Sequence, residues 1–161
     1  MTRLVGRQGC RSRGITMLNV VTHPNFRAQA REALGFYRSV FGGQSTIMSY
    51  ADAHSVTDPS EADQVMWGQV VADDGLRIMA FDMPASRPWS AGEAPFFVSV
   101  SSAVEAEISS RWDRLRVGGT VLHPLLPAAW APLYGMVKDR FGITWNLAVD
   151  GAHAVPAANQ G

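Results

Sequence analysis

Apolar positions along the chain follow two periods in turn, and the order of the periods repeats. Met17–Pro24 reads as a strand. Ala30, Leu34, Tyr37 and Phe41 then recur at three- to four-residue spacing, which predicts a helix over Arg27–Phe41, stopped by Gly42-Gly43. Gln44–Tyr50 is β-like, and Ala51–Asp63 is a loop rich in Asp, Ser and Pro. Gln64–Val71 and Leu76–Phe81 form a hairpin around Asp73-Asp74-Gly75. The same order then restarts. Phe96–Ser101 is a strand, and Val104–Val117 is a helix with Ile108, Trp112 and Leu115 on one face, ended by Gly118-Gly119. Thr120–Leu125 is a strand, Pro124–Pro132 a proline-rich loop, and Leu133–Lys138 and Ile143–Val149 a hairpin around Asp139-Arg140-Phe141-Gly142.

Two local matches support a duplication. "FYRSVFGGQSTI" and "WDRLRVGGTVL" both read helix, Gly-Gly, strand. "DDGLRIMA" and "DRFGITWNL" both read turn, Gly, strand, with Gly75 on Gly142. Helices separated by runs of three strands imply an α+β fold of mostly antiparallel sheet with helices on one side. The expected organisation is a basic tail over 1–16, a first βαβββ module over 17–84 and a linker over 85–94. A second βαβββ module over 95–149 and a C-terminal tail over 150–161 complete it.

Composition narrows the partners. Apolar residues make up 47% of 161, enough for one substantial core. Formal net charge is 0. Arg3, Arg7, Arg11 and Arg13 all lie in the aperiodic tail, which is expected to be dispensable, so the body is mildly acidic. Neither nucleic acid nor an anionic membrane surface is expected to bind such a body. A single cysteine, Cys10, excludes an internal disulfide and a thiolate metal cluster. With no membrane-length apolar run and no secretory h-region, a cytoplasmic location is expected.

Three stretches carry a family resemblance: "THPNFRAQAREALGFYRSVFGG", "VMWGQVVADDGLRIMAFDMP" and "WAPLYGMVKDRFGITWNL". Together they resemble the vicinal oxygen chelate superfamily, the glyoxalase/bleomycin-resistance fold, and within it the PhnB-like subgroup. The resemblance implies paired βαβββ modules whose curled sheet makes a cup with helices outside, and a homodimer. In metal-dependent members, four side chains point into the cup, one from the first and one from the last strand of each module. Carried onto this chain, the last-strand positions fall on Met79, counted from Gly75, and Asn146, counted from Gly142. The first-strand positions fall on Thr22 or His23 and on Pro95–Phe97. Thioether, proline and phenylalanine are poor partners for a hard divalent ion, so no metal is expected. No glycine-rich loop joins a strand to a helix N-terminus, so no adenosyl cofactor is expected either.

The expected activity is binding of a small organic ligand in the cup, without a cofactor. Thr144 and Asn146 would supply polar contacts, with Arg77 and Met79 across the cup and His23 at its rim. Trp67, Trp130 and Tyr134 would add aromatic wall. His23 reads equally as a structural imidazole bonded to backbone. Asp82 and Glu93, beside proline-rich loops, read as solvated. Two other functions fit the same pattern. One is a metal-dependent lyase, isomerase or dioxygenase of the glyoxalase type. The other is an interaction module with a vestigial cup.

Overall fold

The structure, a computed structural model, describes residues 20–92 and 96–150. The two tails and Glu93 lie outside or partly outside those residues, and so do the expectations made of them. The elements run β1 (Asn25–Phe26), α1 (Ala30–Phe41), β2 (Gln44–Ser49), β3 (Val65–Val71) and β4 (Arg77–Asp82). The second set is β5 (Val98–Ser102), α2 (Glu105–Leu115), β6 (Thr120–Ala128), β7 (Ala131–Lys138) and β8 (Thr144–Val149). Each set builds one four-stranded sheet, ordered β1-β4-β3-β2 and β5-β8-β7-β6. In each, the first strand runs parallel to the last and the remaining pairs are antiparallel. The α+β class and the two-module order are as the periodicity predicts.

The first strand, expected over Met17–Pro24, is Asn25–Phe26, with a single bridge at Thr22 before it, and two further elements differ from expectation for local reasons. The first helix starts at Ala30, not Arg27, because Ala28 takes a left-handed φ of 59°. The free N–H groups of Gln29 and Ala30 at that helix end are both accepted by one carboxylate oxygen of Asp82, at 2.9 Å. The other oxygen accepts the Val65 N–H at 2.9 Å. Asp82 is therefore not solvated but 1% exposed, capping α1 from the end of β4. The second difference is the proline-rich segment expected as a loop, most of which is strand. Pro124 and Pro127 lie within β6, an edge strand whose register with β7 shifts at three places. An edge tolerates residues that cannot donate to a ladder, and bulges there discourage pairing with other chains.

The core explains why both helices end in Gly-Gly. Gly42 and Gly118 take positive φ of 79° and 72°, a backbone that glycine adopts without a side-chain clash. The next residues do a different job. A Cβ on Gly43 would overlap the Val71 carbonyl oxygen, and one on Gly119 the Lys138 carbonyl oxygen. The chain thus turns out of each helix directly onto the hairpin of its own module.

Buried residues alternate along β4 and β8. Ile78 and Ala80 face the helix side, as do Trp145, Leu147 and Val149. These two helix-side faces share a single apolar core with α1 and α2, and among the described residues no ladder joins the sheets. The helices are buried unequally. α1 buries seven residues, including Phe36, Tyr37 and Phe41, whereas α2 buries Ile108, Trp112 and Leu115. The surplus on α1 meets the second module. Tyr37 and Phe41 lie 5.5 and 5.3 Å from Trp145, and Phe36 lies 5.6 Å from Phe141. Outward-facing ties flank this seam: Arg111 with Asp74, and Arg114 donating to the Ser39 carbonyl at 2.8 Å.

Candidate functional site

The β7–β8 turn sets where β8 begins, and Asp139 sets the turn. One of its oxygens accepts the backbone N–H groups of Phe141 and Ile143, at 2.9 and 3.0 Å. The other accepts the Tyr37 hydroxyl and the Trp145 indole N–H, both at 2.9 Å. The carboxylate is 4% exposed and makes four bonds, so its desolvation is well compensated. Burial, and then the Asp139 charge, push the Tyr37 hydroxyl far up, so it stays protonated and donates. With Trp145 held inward, the alternation of a strand turns Asn146 to the opposite face.

Register places the remaining positions. Asn146 lies opposite Ser99 on β5 and Met136 on β7. In the first module Thr22 bridges Ile78 and Asn25 pairs with Phe81, so His23 lies beside Met79. The position matching His23 in the second module is therefore Ser99, two residues beyond the Pro95–Phe97 window drawn from sequence spacing. Asn146 and Met79 both lie on the face away from the helices. So do Arg77 and Gln69, joined by a 2.7 Å hydrogen bond, and half-buried Trp67. Thr144 is buried at the start of β8, opposite Lys138. Tyr134 pairs with Ala148, and its ring meets those of Trp130 and His123 at 5.4 and 5.6 Å. Trp130 is 62% exposed.

Within one chain these residues form two groups. His23, Trp67, Arg77 and Met79 belong to the first sheet. Trp130, Tyr134, Thr144 and Asn146 belong to the second. The helix-side faces of the two sheets share the core, and Met79 and Asn146 lie on different sheets. Among the described residues two buried side-chain oxygens have no hydrogen-bond partner, Oε1 of Gln64 and Oδ1 of Asn146, and Asn146 is the one among these positions.

The four inward positions test whether a metal suits this chain. They present an imidazole, a thioether, a hydroxyl and a neutral amide. This set has no anionic ligand, and a hard divalent ion prefers carboxylate oxygen and imidazole nitrogen. Among the described residues no three His, Cys, Asp or Glu gather. The residues do not fit the superfamily's metal.

His23 itself is perturbed. Partial burial lowers its pKa, opposed by a backbone hydrogen bond at Ala80. A histidine whose folded pKa is lowered binds fewer protons folded than unfolded. Its penalty is absent well above the unfolded value, about 6.5, grows as pH falls from there toward the folded value, and is constant below it. Between about pH 7 and 5.5 the wild type is expected to lose more stability than His23→Gln in urea melts. Equal losses would show that the imidazole is not desolvated.

Two βαβββ modules with helices behind their sheets make a fold of the glyoxalase/bleomycin-resistance type. A glyoxalase/bleomycin resistance protein/dioxygenase from Nocardioides shares the fold, with a TM-score of 0.51 at 16% identity over 88% of this chain and 90% of that one. More specifically, the chain belongs to the PhnB-like family whose model, described as 3-demethylubiquinone-9 3-methyltransferase, matches residues 19–148. Protein PA1353 from Pseudomonas aeruginosa is 28% identical, with a TM-score of 0.73, covering 83% of this chain and 98% of that one. A putative 3-demethylubiquinone-9 3-methyltransferase, PhnB protein, from Bacillus cereus is 24% identical, with a TM-score of 0.67, covering 82% and 99%. Sequence reasoning reached the family, and its count from Gly75 and Gly142 lands on residues of β4 and β8. It missed the capping role of Asp82, whose helix partners are distant in sequence, and the bond of Tyr37 to Asp139, although it read Asp139 as the start of the turn.

Proposed function

We propose that this protein binds a small organic molecule without a metal, in a cup that a second copy of the chain completes. Asn146 supplies the polar contact, and Trp67, Met79, Trp130 and Tyr134 supply apolar and aromatic wall. The observation that carries the reading is the orphaned Oδ1 of Asn146. Leaving a buried acceptor unpaired costs about 1–3 kcal/mol, a cost that a ligand donor would offset. Replacing that amide by an isosteric apolar group should remove both the cost and the site. Asn146→Leu is therefore expected to raise ligand-free stability by about 1 kcal/mol. Native mass spectrometry of wild type purified from its host is expected to show an added ligand mass, and Asn146→Leu should abolish it. A variant destabilised by more than about 1 kcal/mol would mean the amide is locally satisfied, and the reading would fail.

The second copy is supported by what the outer surfaces expose. Leu122, Leu126 and Trp130 are 52%, 51% and 62% exposed along the β6–β7 hairpin, and Met48 is 43% exposed on β2. Apolar surface of this kind is usually covered in an assembly. A second copy can bring its first sheet against the second sheet of its mate, joining the two groups of residues that one chain keeps apart. Sedimentation at micromolar concentration is expected to give twice 17.4 kDa, and a lone 17.4 kDa species would refute the composite cup.

The methyltransferase wording of the family model finds no support in the chain. Among the described residues, α1 follows Arg27-Ala28-Gln29 and α2 follows Ala103-Val104, and neither is a glycine-rich phosphate loop.

A further inference from the structure

The outward faces of the two sheets carry a charge pattern unlike the rest of the chain. As a whole the chain is balanced, with 14 acidic and 14 basic residues. The strands are not. Among the described residues their sole acid is Asp82, which is buried and spent on the N–H groups of Gln29, Ala30 and Val65. The same strands hold Arg77 and Lys138, both exposed. Arg77 is two residues from Met79. Lys138 is two residues from Met136, whose partner across the ladder is Asn146. Side chains two apart on a strand share a face, so both cations lie on the faces that carry Met79 and Asn146.

The repeat makes the two placements equivalent. Arg77 pairs with Val71 at the turn end of the β3–β4 hairpin, and Lys138 pairs with Thr144 at the turn end of the β7–β8 hairpin. Each turn also holds an acid close in sequence, and neither acid serves the cation. Asp74 is bound to Arg111 and accepts the Leu76 N–H. Asp139 is filled by its four donors. Arg77 donates through Nε to Oε1 of Gln69 at 2.7 Å, a bond that orients the guanidinium and engages none of its terminal N–H groups. Among the described residues neither Arg77 nor Lys138 has a carboxylate partner. A cationic ligand would find no acid on either face, whereas an anionic one would find two cations.

Resting on the cup proposed above, we infer that its ligand is an aromatic carboxylate with an O–H or N–H donor at the far end of its ring system. The donor reaches the orphaned Oδ1 of Asn146. One step along the strand face, about 6–7 Å toward the turn, the carboxylate meets Lys138, and Arg77 approaches it from the facing sheet of the second copy. Trp67 and Tyr134 flank the rings between those two ends.

The test uses the full chain and two probes of one shape, 6-hydroxy-2-naphthoate and its neutral counterpart 6-hydroxy-2-naphthamide, with binding read by titration calorimetry. The naphthoate is expected to bind about tenfold more tightly than the amide. Lys138→Gln and Arg77→Gln should each weaken the naphthoate about fivefold at an unchanged melting temperature, and leave the amide unaffected. Arg116→Gln removes the same charge from an ion pair with Asp113 at the end of α2, and should change neither affinity. Added salt should weaken the naphthoate alone. Asn146→Leu should weaken both probes, because both offer it the same hydroxyl. Affinities for the two probes within about twofold of each other overturn the inference. So does full affinity for the naphthoate in both charge variants, or no binding of it at millimolar concentration. The cup itself is judged apart, by the added mass on host-purified protein and by whether Asn146→Leu loses the amide. Loss of the amide with no preference for the naphthoate would keep the cup and reject the anion.

Discussion

Asp139→Asn is expected to destabilise the protein by about 3 kcal/mol, read as a lowered urea midpoint at unchanged slope. The carboxylate accepts four N–H or O–H donors and has almost no access to water. An amide keeps one oxygen for two of those donors and turns an NH₂ toward the other two. Two charge-assisted bonds are lost, each worth about 1.5–3 kcal/mol, with part recovered by relaxation. Tyr37→Phe removes a single donor and leaves the carboxylate three partners, so about 1 kcal/mol is expected. The ratio between the two is the informative quantity. A loss below about 1 kcal/mol in Asp139→Asn would show that the turn holds itself. If that variant does not fold, Tyr37→Phe still measures the bond across the seam.

Gly43→Ala should cost more than about 3 kcal/mol, while Gly42→Ala should cost about 1. Both residues have left-handed φ, so both substitutions carry backbone strain. Only Gly43 also abuts backbone. Its Cβ would overlap the Val71 carbonyl oxygen, whereas a Cβ on Gly42 meets nothing within 4 Å. Backbone in a paired strand cannot yield as a side-chain tip can. Thermal or urea melts of the two variants would separate the two roles, and equal losses would mean that β3 shifts to accommodate the methyl group.

How far the sequence could be read follows from the range of the interactions. The helices, hairpins and the repeat depend on contacts within a few residues, and they emerge from periodicity and from Gly-Gly and Asp-x-x-Gly punctuation. Met79 and Asn146 were found by counting from those glycines, because strand register runs unbroken from a tight turn. The matching position on β5 was missed by two residues because no turn anchors it. Ser99 is placed only by its parallel pairing with Asn146. Asp82 looked solvated beside Pro84, yet its partners Gln29 and Ala30 lie more than 50 residues away. Nothing in local pattern announces such a bond. The prolines of β6 misled for the opposite reason. They punctuate locally, but their place on a sheet edge makes them harmless.

The unequal burial of the helices has a thermodynamic consequence. α1 spends Phe36, Tyr37 and Phe41 on surfaces that belong to the other module, so the first module cannot open without stripping its partner's Trp145. Free energy is therefore not stored module by module. The repeat looks divisible on paper, but the chain should behave as one cooperative unit, with amides on β4 and β8 exchanging through the same global opening.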